Sequence, residues 1–173
     1  MKKIIMLIMI TTFVSGSVKK ASVNFTAVGK PSFIRINGES DKLSEKLTLK
    51  DNKISGELIF DLDSLTTGLD LRDRHMKETY LETSNKNFKQ AVLKISNLNI
   101  EESTDFKALL TLHGVTKEVK VSAEIDSDKS DLEIEAHFEI KLSDFGIAIP
   151  SFQGITVADS VKINVESEMT VNE

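Results

Sequence analysis

Apolar and polar residues alternate with a period of two along most of the chain after about residue 23. Residues 132–141 and 161–171 show the pattern most cleanly: charged or polar side chains take one set of alternate positions, and apolar side chains take the other, with Ser167 as the one exception. Successive side chains of a strand point to opposite faces, whereas a helix with this spacing would scatter the apolar residues around its axis. The pattern therefore predicts strands with one apolar face.

Weaker alternation and turn residues predict the remaining elements. Further strands are expected at residues 23–28, 33–37, 47–50, 54–62, 91–100, 106–113 and 118–126. Short turn sequences at 51–53, 114–117 and 127–130 predict antiparallel neighbours in a meander. Residues 69–82 hold good helix formers and no run of β-branched residues, which predicts one short helix, with Asp70 or Asp73 as its candidate cap.

A sheet of this kind has to hide its apolar face. A closed barrel does so without leaving edges, and a sandwich is the alternative. The polar faces are rich in Glu and Lys, and the aromatic girdles of a membrane barrel are missing, so the apolar face is expected inside. The predicted fold is all-β: an antiparallel up-and-down closed barrel of about eight strands with one short helix.

The first residues have the order of a secretory signal peptide. Lys2 and Lys3 precede an apolar run at 4–10, and small residues follow. We expect cleavage after Gly16 or Ser17, which leaves a single domain, 18–173, in the periplasm, with secretion as the alternative destination. The apolar run is short for a membrane span, so an uncleaved anchor is the less favoured reading.

Composition excludes several classes of function. The chain has no cysteine, which excludes disulfides, thiolate nucleophiles, cysteine zinc sites and attachment of a lipid at a lipobox cysteine. Its formal net charge is -5, and it shows no basic stripe of the kind that binds nucleic acid.

Four short segments carry patterns more specific than alternation: residues 71–76 (LRDRHM), 110–119 (LTLHGVTKEV), 144–147 (DFGI) and 157–163 (VADSVKI). The first resembles the Arg-Asp-x-His-[Leu/Met] segment of the YceI-like family, and the second resembles that family's Leu-Thr-[Leu/Ile]-His-Gly-Val-Thr-[Lys/Arg]-Pro-Val string. The resemblance covers nearly the whole mature chain. It implies a lipocalin-like barrel of the periplasm that holds an isoprenoid, quinone-like or polyprenol-like, in an elongated apolar interior and catalyses no reaction.

Inward apolar positions are the candidate lining of that interior. They are Phe25, Leu58, Phe60, Leu93, Leu110, Leu112, Val121, Phe138, Ile140, Phe145, Phe152, Ile163 and Val165. Burial of a lipid tail among them would gain roughly 25 cal/mol per Å² of apolar surface removed from water. The alternative is that these side chains fill the barrel completely. The apolar segment 145–154 is broken by Pro150, so it is expected either to frame a cavity mouth or to pack flat on the barrel.

Few residues are candidates for polar chemistry. Arg72, Asp73 and His75 could meet the ligand's head group from the helix, and helix capping with ion pairing is the alternative. His113 is interpreted as a turn residue. The alternating Glu135, His137 and Glu139 could in principle bind zinc, but they fall on the solvent face, so we predict no metal and no cofactor other than a bound lipid.

Three classes of function remain open from the sequence. The leading hypothesis is a protein that sequesters or transports an isoprenoid or similar amphiphilic lipid. The alternative is a filled barrel that serves as a structural or interaction module in envelope stress. A hydrolase ranks last, because the inward faces hold almost no titratable groups. The exposed sheet and the helix are candidate surfaces for a homodimer.

Overall fold

The computed structural model describes residues 16–30, 34–100, 104–128, 131–152 and 154–171. These form an antiparallel sheet of ten strands and one short α-helix. The strands are β1 (Gly16–Lys30), β2 (Ile34–Ser40), β3 (Leu43–Lys50), β4 (Lys53–Asp61), β5 (Gln90–Asn99), β6 (Thr104–Leu112), β7 (Val115–Asp128), β8 (Asp131–Lys141), β9 (Ser151–Phe152) and β10 (Ile155–Val171). The all-β, antiparallel fold with one short helix is therefore confirmed.

The sheet is a meander curled into a half-barrel. Its strand order is β2-β1-β10-β8-β7-β6-β5-β4-β3, and β9 pairs with β10 outside this path. The path holds nine strands, and no ladder joins β2 to β3 among the described residues. The expected closed barrel of about eight strands is therefore not confirmed. Strand β1 is long: residues 23–29 pair with β2, and β1 also contacts β3 at the far end of the path.

Hydrogen bonds of the backbone and of side chains cross the gap between the two ends of the sheet. Glu39 of β2 forms a pair of backbone hydrogen bonds of 2.9 Å with Thr66, in the loop that follows β4. The Ser40 and Ser64 hydroxyls are also hydrogen-bonded. Nearer the other end, the Ser167 hydroxyl of β10 donates to Glu45 of β3 at 2.6 Å. An isolated backbone bridge and individual side-chain hydrogen bonds therefore link the two sides of the gap, where a fully closed barrel would have a continuous backbone ladder.

The apolar face lies inside, as the alternation predicts. On β8, Leu132, Ala136 and Phe138 are buried while Glu133 and Glu135 are exposed. One end of the interior is solidly packed, and its most deeply buried side chains include Ile54, Leu93, Val121 and Leu132. The other end carries the β6–β7 hairpin and the helix, and it is not filled by the strands.

The helix begins later and ends earlier than predicted. Helix α1 spans Asp70–His75 and continues as a π-helical turn, Met76–Tyr80. Its first cap position is Leu69, which makes no side-chain cap. The expectation that Asp70 or Asp73 caps the helix is therefore wrong. The Asp73 carboxylate is used instead by the loop that precedes the helix.

Some predictions fall on residues outside the described part of the chain. Most of the predicted signal peptide lies in residues 1–15, and Phe33 and part of the predicted turn at 127–130 also lie outside. Gly16 and Ser17, the expected cleavage positions, begin β1 opposite the end of β10. Within the described residues, no helix has the length and apolar character needed to cross a membrane.

Candidate functional site

An apolar cavity of about 570 Å³ occupies the open end of the half-barrel. This volume is within the range of roughly 300–1,000 Å³ that is typical of sites for small molecules. Its walls come from β1, β2, β4, β5, β6, β8 and β10, and residues of the segments 65–81, 147–151 and 155–157 border its open side. The interior is therefore neither empty along its whole length nor filled completely: one end is core and the other is a cavity.

The polar residues that border the cavity are concentrated at its mouth. They are Thr67, Asp70, Arg72, His75, Tyr80 and Ser151. Leu69 and Leu71 also border the cavity, and yet they are 58% and 53% exposed. Exposed residues in the lining show that the cavity reaches solvent beside α1. A ligand with an apolar tail and a polar head would fit this division of the lining, with its head near the helix.

Seven of the predicted lining residues border the cavity: Phe25, Phe60, Leu110, Leu112, Phe138, Ile140 and Ile163. Leu58, Leu93 and Phe145 are buried outside the lining, as are Val121 and Val165. Phe152 pairs with Ile155 through its backbone, and its side chain is outside the described part of the chain. Ile147, Pro150 and Ser151 border the cavity, so the described part 147–151 of the 145–154 segment helps to frame its mouth.

Sequence reasoning missed the lining that comes from the helical segment and from β2. Met76, Leu81, Ile34 and Ile36 all border the cavity. Apolar residues spaced along the helical segment, at Leu69, Met76 and Leu81, are a sign that it has an apolar side, but that sign does not say what this side covers. Ile34 and Ile36 alternate on β2, and this pattern alone could have identified them.

Asp73 is buried and organises the loop before α1. Its carboxylate accepts hydrogen bonds from the Thr66 hydroxyl at 2.7 Å, from the Thr67 backbone nitrogen at 2.8 Å and from the Thr67 hydroxyl. Burial by itself would raise the pKa of Asp73, but these hydrogen bonds, together with the nearby charge of Lys77, hold it below its usual value. Asp73 does not border the cavity, so its observed role is scaffolding.

Arg72 and His75 do border the cavity. The Arg72 Nε donates to the Thr67 hydroxyl at 2.7 Å, and its Nη2 donates to the Thr67 carbonyl oxygen at 2.8 Å. Thr67 thus links the guanidinium to the Asp73 carboxylate. Of the three residues proposed from the sequence to meet a head group, two lie at the cavity and the third positions one of them.

The glutamate and histidine residues of β8 are exposed and do not border the cavity. Glu135 and His137 are exposed, with the His137 Nε2 3.5 Å from the Glu135 Oε1, and Glu139 accepts a hydrogen bond from the Ser160 hydroxyl. The described residues hold no cluster of three His, Asp or Glu side chains suited to a metal ion.

Comparison with known proteins identifies the family. The model of the YceI-like domain matches residues 11–169. The chain belongs to the YceI-like family. No curated protein is significantly similar to it in sequence.

Solved structures share the fold of this YceI-like chain at low sequence identity. A polyisoprenoid binding domain from Saccharophagus degradans, implicated in plant cell wall breakdown, has a TM-score of 0.70 at 16% identity, covering 92% of this chain and 99% of that one. BcnA of Burkholderia cenocepacia has a TM-score of 0.72 at 18% identity, covering 86% and 95%. The YceI protein of Campylobacter jejuni has a TM-score of 0.61 at 17% identity, covering 80% and 86%.

In the LTLHGVTKEV segment of this YceI-like chain, His113 contacts three other parts of the structure beside the cavity. The His113 Nε2 lies 2.9 Å from the Glu82 carboxylate, and its Nδ1 lies 3.2 Å from the Phe145 carbonyl oxygen. The Phe88 ring packs on the imidazole with 4.1 Å between ring centroids. His113 therefore joins the segment after the helix to the turn after β8, in addition to the turn role expected for it.

Of the other two YceI-like segments, residues 157–163 are bonded to Ser143, the residue that directly precedes the segment 144–147. The carboxylate of Asp159 accepts from the Ser143 backbone nitrogen at 2.8 Å and from the Ser143 hydroxyl at 2.6 Å. These bonds lower the pKa of Asp159. They fix the short turn Leu142–Phe145, and Leu142 borders the cavity. All four segments thus lie around the open end of the half-barrel.

Proposed function

We propose that this chain binds an isoprenoid or a similar long-chain amphiphilic lipid in the cavity and sequesters or transports it in the periplasm, without catalysis. One observation carries the proposal: an apolar cavity of about 570 Å³ whose polar residues are concentrated at a mouth that reaches solvent. Two further findings support it, namely membership of the YceI-like family and the likeness to a domain described as polyisoprenoid-binding.

The size of the cavity bounds the part of a ligand that it can enclose. If each tail carbon takes about 30 Å³, the share of one water molecule in the liquid, the cavity holds on the order of 20 carbon atoms. A C20 isoprenoid would then fill it, and a longer chain would extend past Leu69 and Leu71 at the mouth. A filled barrel acting only as an interaction module predicts no continuous cavity, so the cavity favours the binding function.

The proposal can be tested by filling the cavity. Ala27 of β1 and Ala91 of β5 are buried and border it, so the double variant A27L/A91L would place two larger side chains in vacant space. The matched control is A123L, because Ala123 is also buried but lies outside the lining. Binding of geranylgeraniol is measured by titration of the emission of Tyr80, the only tyrosine in a chain without tryptophan, which also borders the cavity.

We expect A27L/A91L to keep or raise the melting temperature and to lose at least about tenfold in affinity. A123L should be destabilised by about 1–3 kcal/mol, because it overpacks a filled region, and should bind normally while folded. Unchanged affinity in A27L/A91L would contradict the proposed binding site.

The periplasmic destination is tested separately. N-terminal sequencing of the protein from a periplasmic extract should find a new terminus after Gly16 or Ser17. An intact Met1 in a membrane fraction would support an uncleaved anchor instead. A homodimer remains a hypothesis that sedimentation of the mature protein would decide.

A further inference from the structure

The guanidinium of Arg72 is fixed in position by only one of its edges. Its Nε and Nη2 both donate to Thr67, at 2.7 and 2.8 Å, and Thr67 in turn donates through its backbone nitrogen and its hydroxyl to the buried Asp73. This arrangement orders a long side chain before any ligand arrives. A pre-ordered side chain loses less conformational entropy when it binds a partner.

The other edge of the guanidinium has no protein acceptor among the described residues. Arginine carries five N–H donors, of which two are used here, so three remain, including the pair on Nη1. The described salt bridges do not include Arg72. Asp73 does not neutralise it directly, because the hydrogen bonds of that carboxylate come from Thr66 and Thr67. Arg72 is thus a half-buried cation that borders an apolar cavity and has no direct counter-ion in the described part of the chain.

We propose that Arg72 binds an anionic head group, a carboxylate or a phosphate, on the lipid whose tail fills the cavity. The planar edge of a guanidinium matches such groups with two parallel hydrogen bonds, which are stronger than those to a neutral hydroxyl or carbonyl. The inference rests on the proposed lipid-binding function and narrows it, because the resemblance alone implied a quinone-like or polyprenol-like ligand with a neutral head.

One nearby charge opposes this assignment. Asp70 also borders the cavity and would repel an anion. Its side chain is exposed, so solvent and salt screen its charge more than they screen that of the half-buried Arg72. Replacing Asp70 by Asn should therefore raise the affinity for an anionic amphiphile modestly and leave that for a neutral one unchanged.

Three probes with the same C20 tail isolate the contribution of the head group: geranylgeraniol, geranylgeranoic acid and geranylgeranyl phosphate. Tyr80 emission reports binding of each. The variants are R72Q and R72K, and the matched control is R74Q, since Arg74 lies on the same helix, is exposed and does not border the cavity. Inorganic phosphate alone distinguishes a lipid head group from a free anion.

We expect the unmodified protein and R74Q to bind at least one anionic probe about tenfold or more tightly than the alcohol, as charge-assisted hydrogen bonds would give. R72Q should lose this preference while keeping its affinity for the alcohol, and R72K should keep part of it. Inorganic phosphate should neither bind alone nor displace the probes.

Other outcomes separate the two claims. Equal affinity for all three probes, or a preference that survives in R72Q, would overturn the anionic head group and leave lipid binding intact. Displacement of the probes by inorganic phosphate would make Arg72 a site for free anions and overturn the amphiphile assignment. If no probe binds, the proposed function fails, and this inference fails with it. If R72Q does not fold, the proposal is still tested by two measurements. These are the preference of the unmodified protein for the anionic probes over the alcohol, and the reduction of that preference in R72K.

Discussion

The Tyr80 hydroxyl lies 3.2 Å from the backbone nitrogen of Ser151 and 3.3 Å from the Ser151 carbonyl oxygen. It can therefore accept from the first and donate to the second. This contact joins the π-helical turn to the first residue of β9, and both residues border the cavity. The two segments that cover the open end of the half-barrel are thus tied to each other at the mouth.

Removal of the hydrogen bonds between the Tyr80 hydroxyl and the Ser151 backbone should speed ligand exchange. We expect Tyr80→Phe to raise the dissociation rate of a bound amphiphile several-fold and to change the free energy of unfolding by no more than about 1 kcal/mol, the net contribution of an ordinary hydrogen bond. Stopped-flow displacement of an apolar dye whose emission rises out of water gives the rate without relying on tyrosine. A dissociation rate equal to that of the unmodified protein would show that the mouth does not open between these two segments.

Asp73→Asn should destabilise the protein by about 2 kcal/mol, because an amide cannot accept all the hydrogen bonds that Thr66 and Thr67 now donate to the carboxylate. Since Thr67 also holds Arg72, affinity for an anionic amphiphile should fall as well. The control is Asp70→Asn, an exposed position on the same helix, which should leave stability almost unchanged.

The difference in stability between the unmodified protein and the Asp73→Asn variant should depend on pH with a definite sign. Hydrogen bonding holds the pKa of Asp73 below its unfolded value despite burial, so the stabilisation is complete above about pH 4, the ordinary aspartate range, and is lost as the pH falls through the lowered pKa. Thermal melts of both proteins across the acid range should converge at low pH. A difference that is constant with pH would contradict this role of the carboxylate.

The alternation of the sequence predicts which face of each strand points inward but not how deep along the barrel each residue lies. Leu93 of β5 and Leu110 of β6 are paired neighbours, and both are buried, yet only Leu110 borders the cavity. Period-two alternation is the same at the packed end and at the hollow end. The sequence also does not predict that Met76 and Leu81 line the cavity, because this depends on where the helical segment packs against the sheet.

Glu45 is a second residue at which the structure differs from what the sequence pattern predicts. Its charge interrupted the alternation, so β3 was predicted to begin at residue 47 instead of Leu43. In the structure, burial raises the pKa of Glu45, only partly offset by the hydrogen bond from Ser167. Its Oε2 is buried without a hydrogen-bond partner among the described residues. The charged form is thus disfavoured in the gap between β3 and β10.

Glu45→Gln should therefore stabilise the protein near neutral pH. A carboxyl whose pKa is raised by folding holds its proton more tightly in the folded state, so its contribution is favourable below the unfolded pKa, about 4.3, and is lost as the pH rises through the raised pKa. The melting temperature of E45Q should exceed that of the unmodified protein near pH 7, and the gap should close toward pH 4. A lower melting temperature for E45Q near neutrality would refute the assignment.

Gly38 of β2 controls the position of a residue that borders the cavity. A Cβ added there would lie 2.2 Å from the Phe25 Cε1 and 2.5 Å from its Cζ, so the Phe25 ring would have to move. We expect Gly38→Ala to cost about 1–3 kcal/mol and to weaken ligand binding. In the double variant G38A/F25A the collision is absent, so a double-mutant cycle should show that the two changes are strongly coupled. If the effects of the two substitutions on stability and binding were additive, contact with the Phe25 ring would not be the cause of the Gly38→Ala effect.

The central claim is that the cavity holds a lipid. Native mass spectrometry of the mature protein, purified gently from the periplasm of its own cells, tests it most directly, with solvent extraction to identify whatever is released. The account predicts one adduct per chain with the mass of an isoprenoid or related amphiphile, lost in the A27L/A91L variant and kept in A123L. A bare protein mass that stays unchanged after incubation with the C20 probes would contradict it.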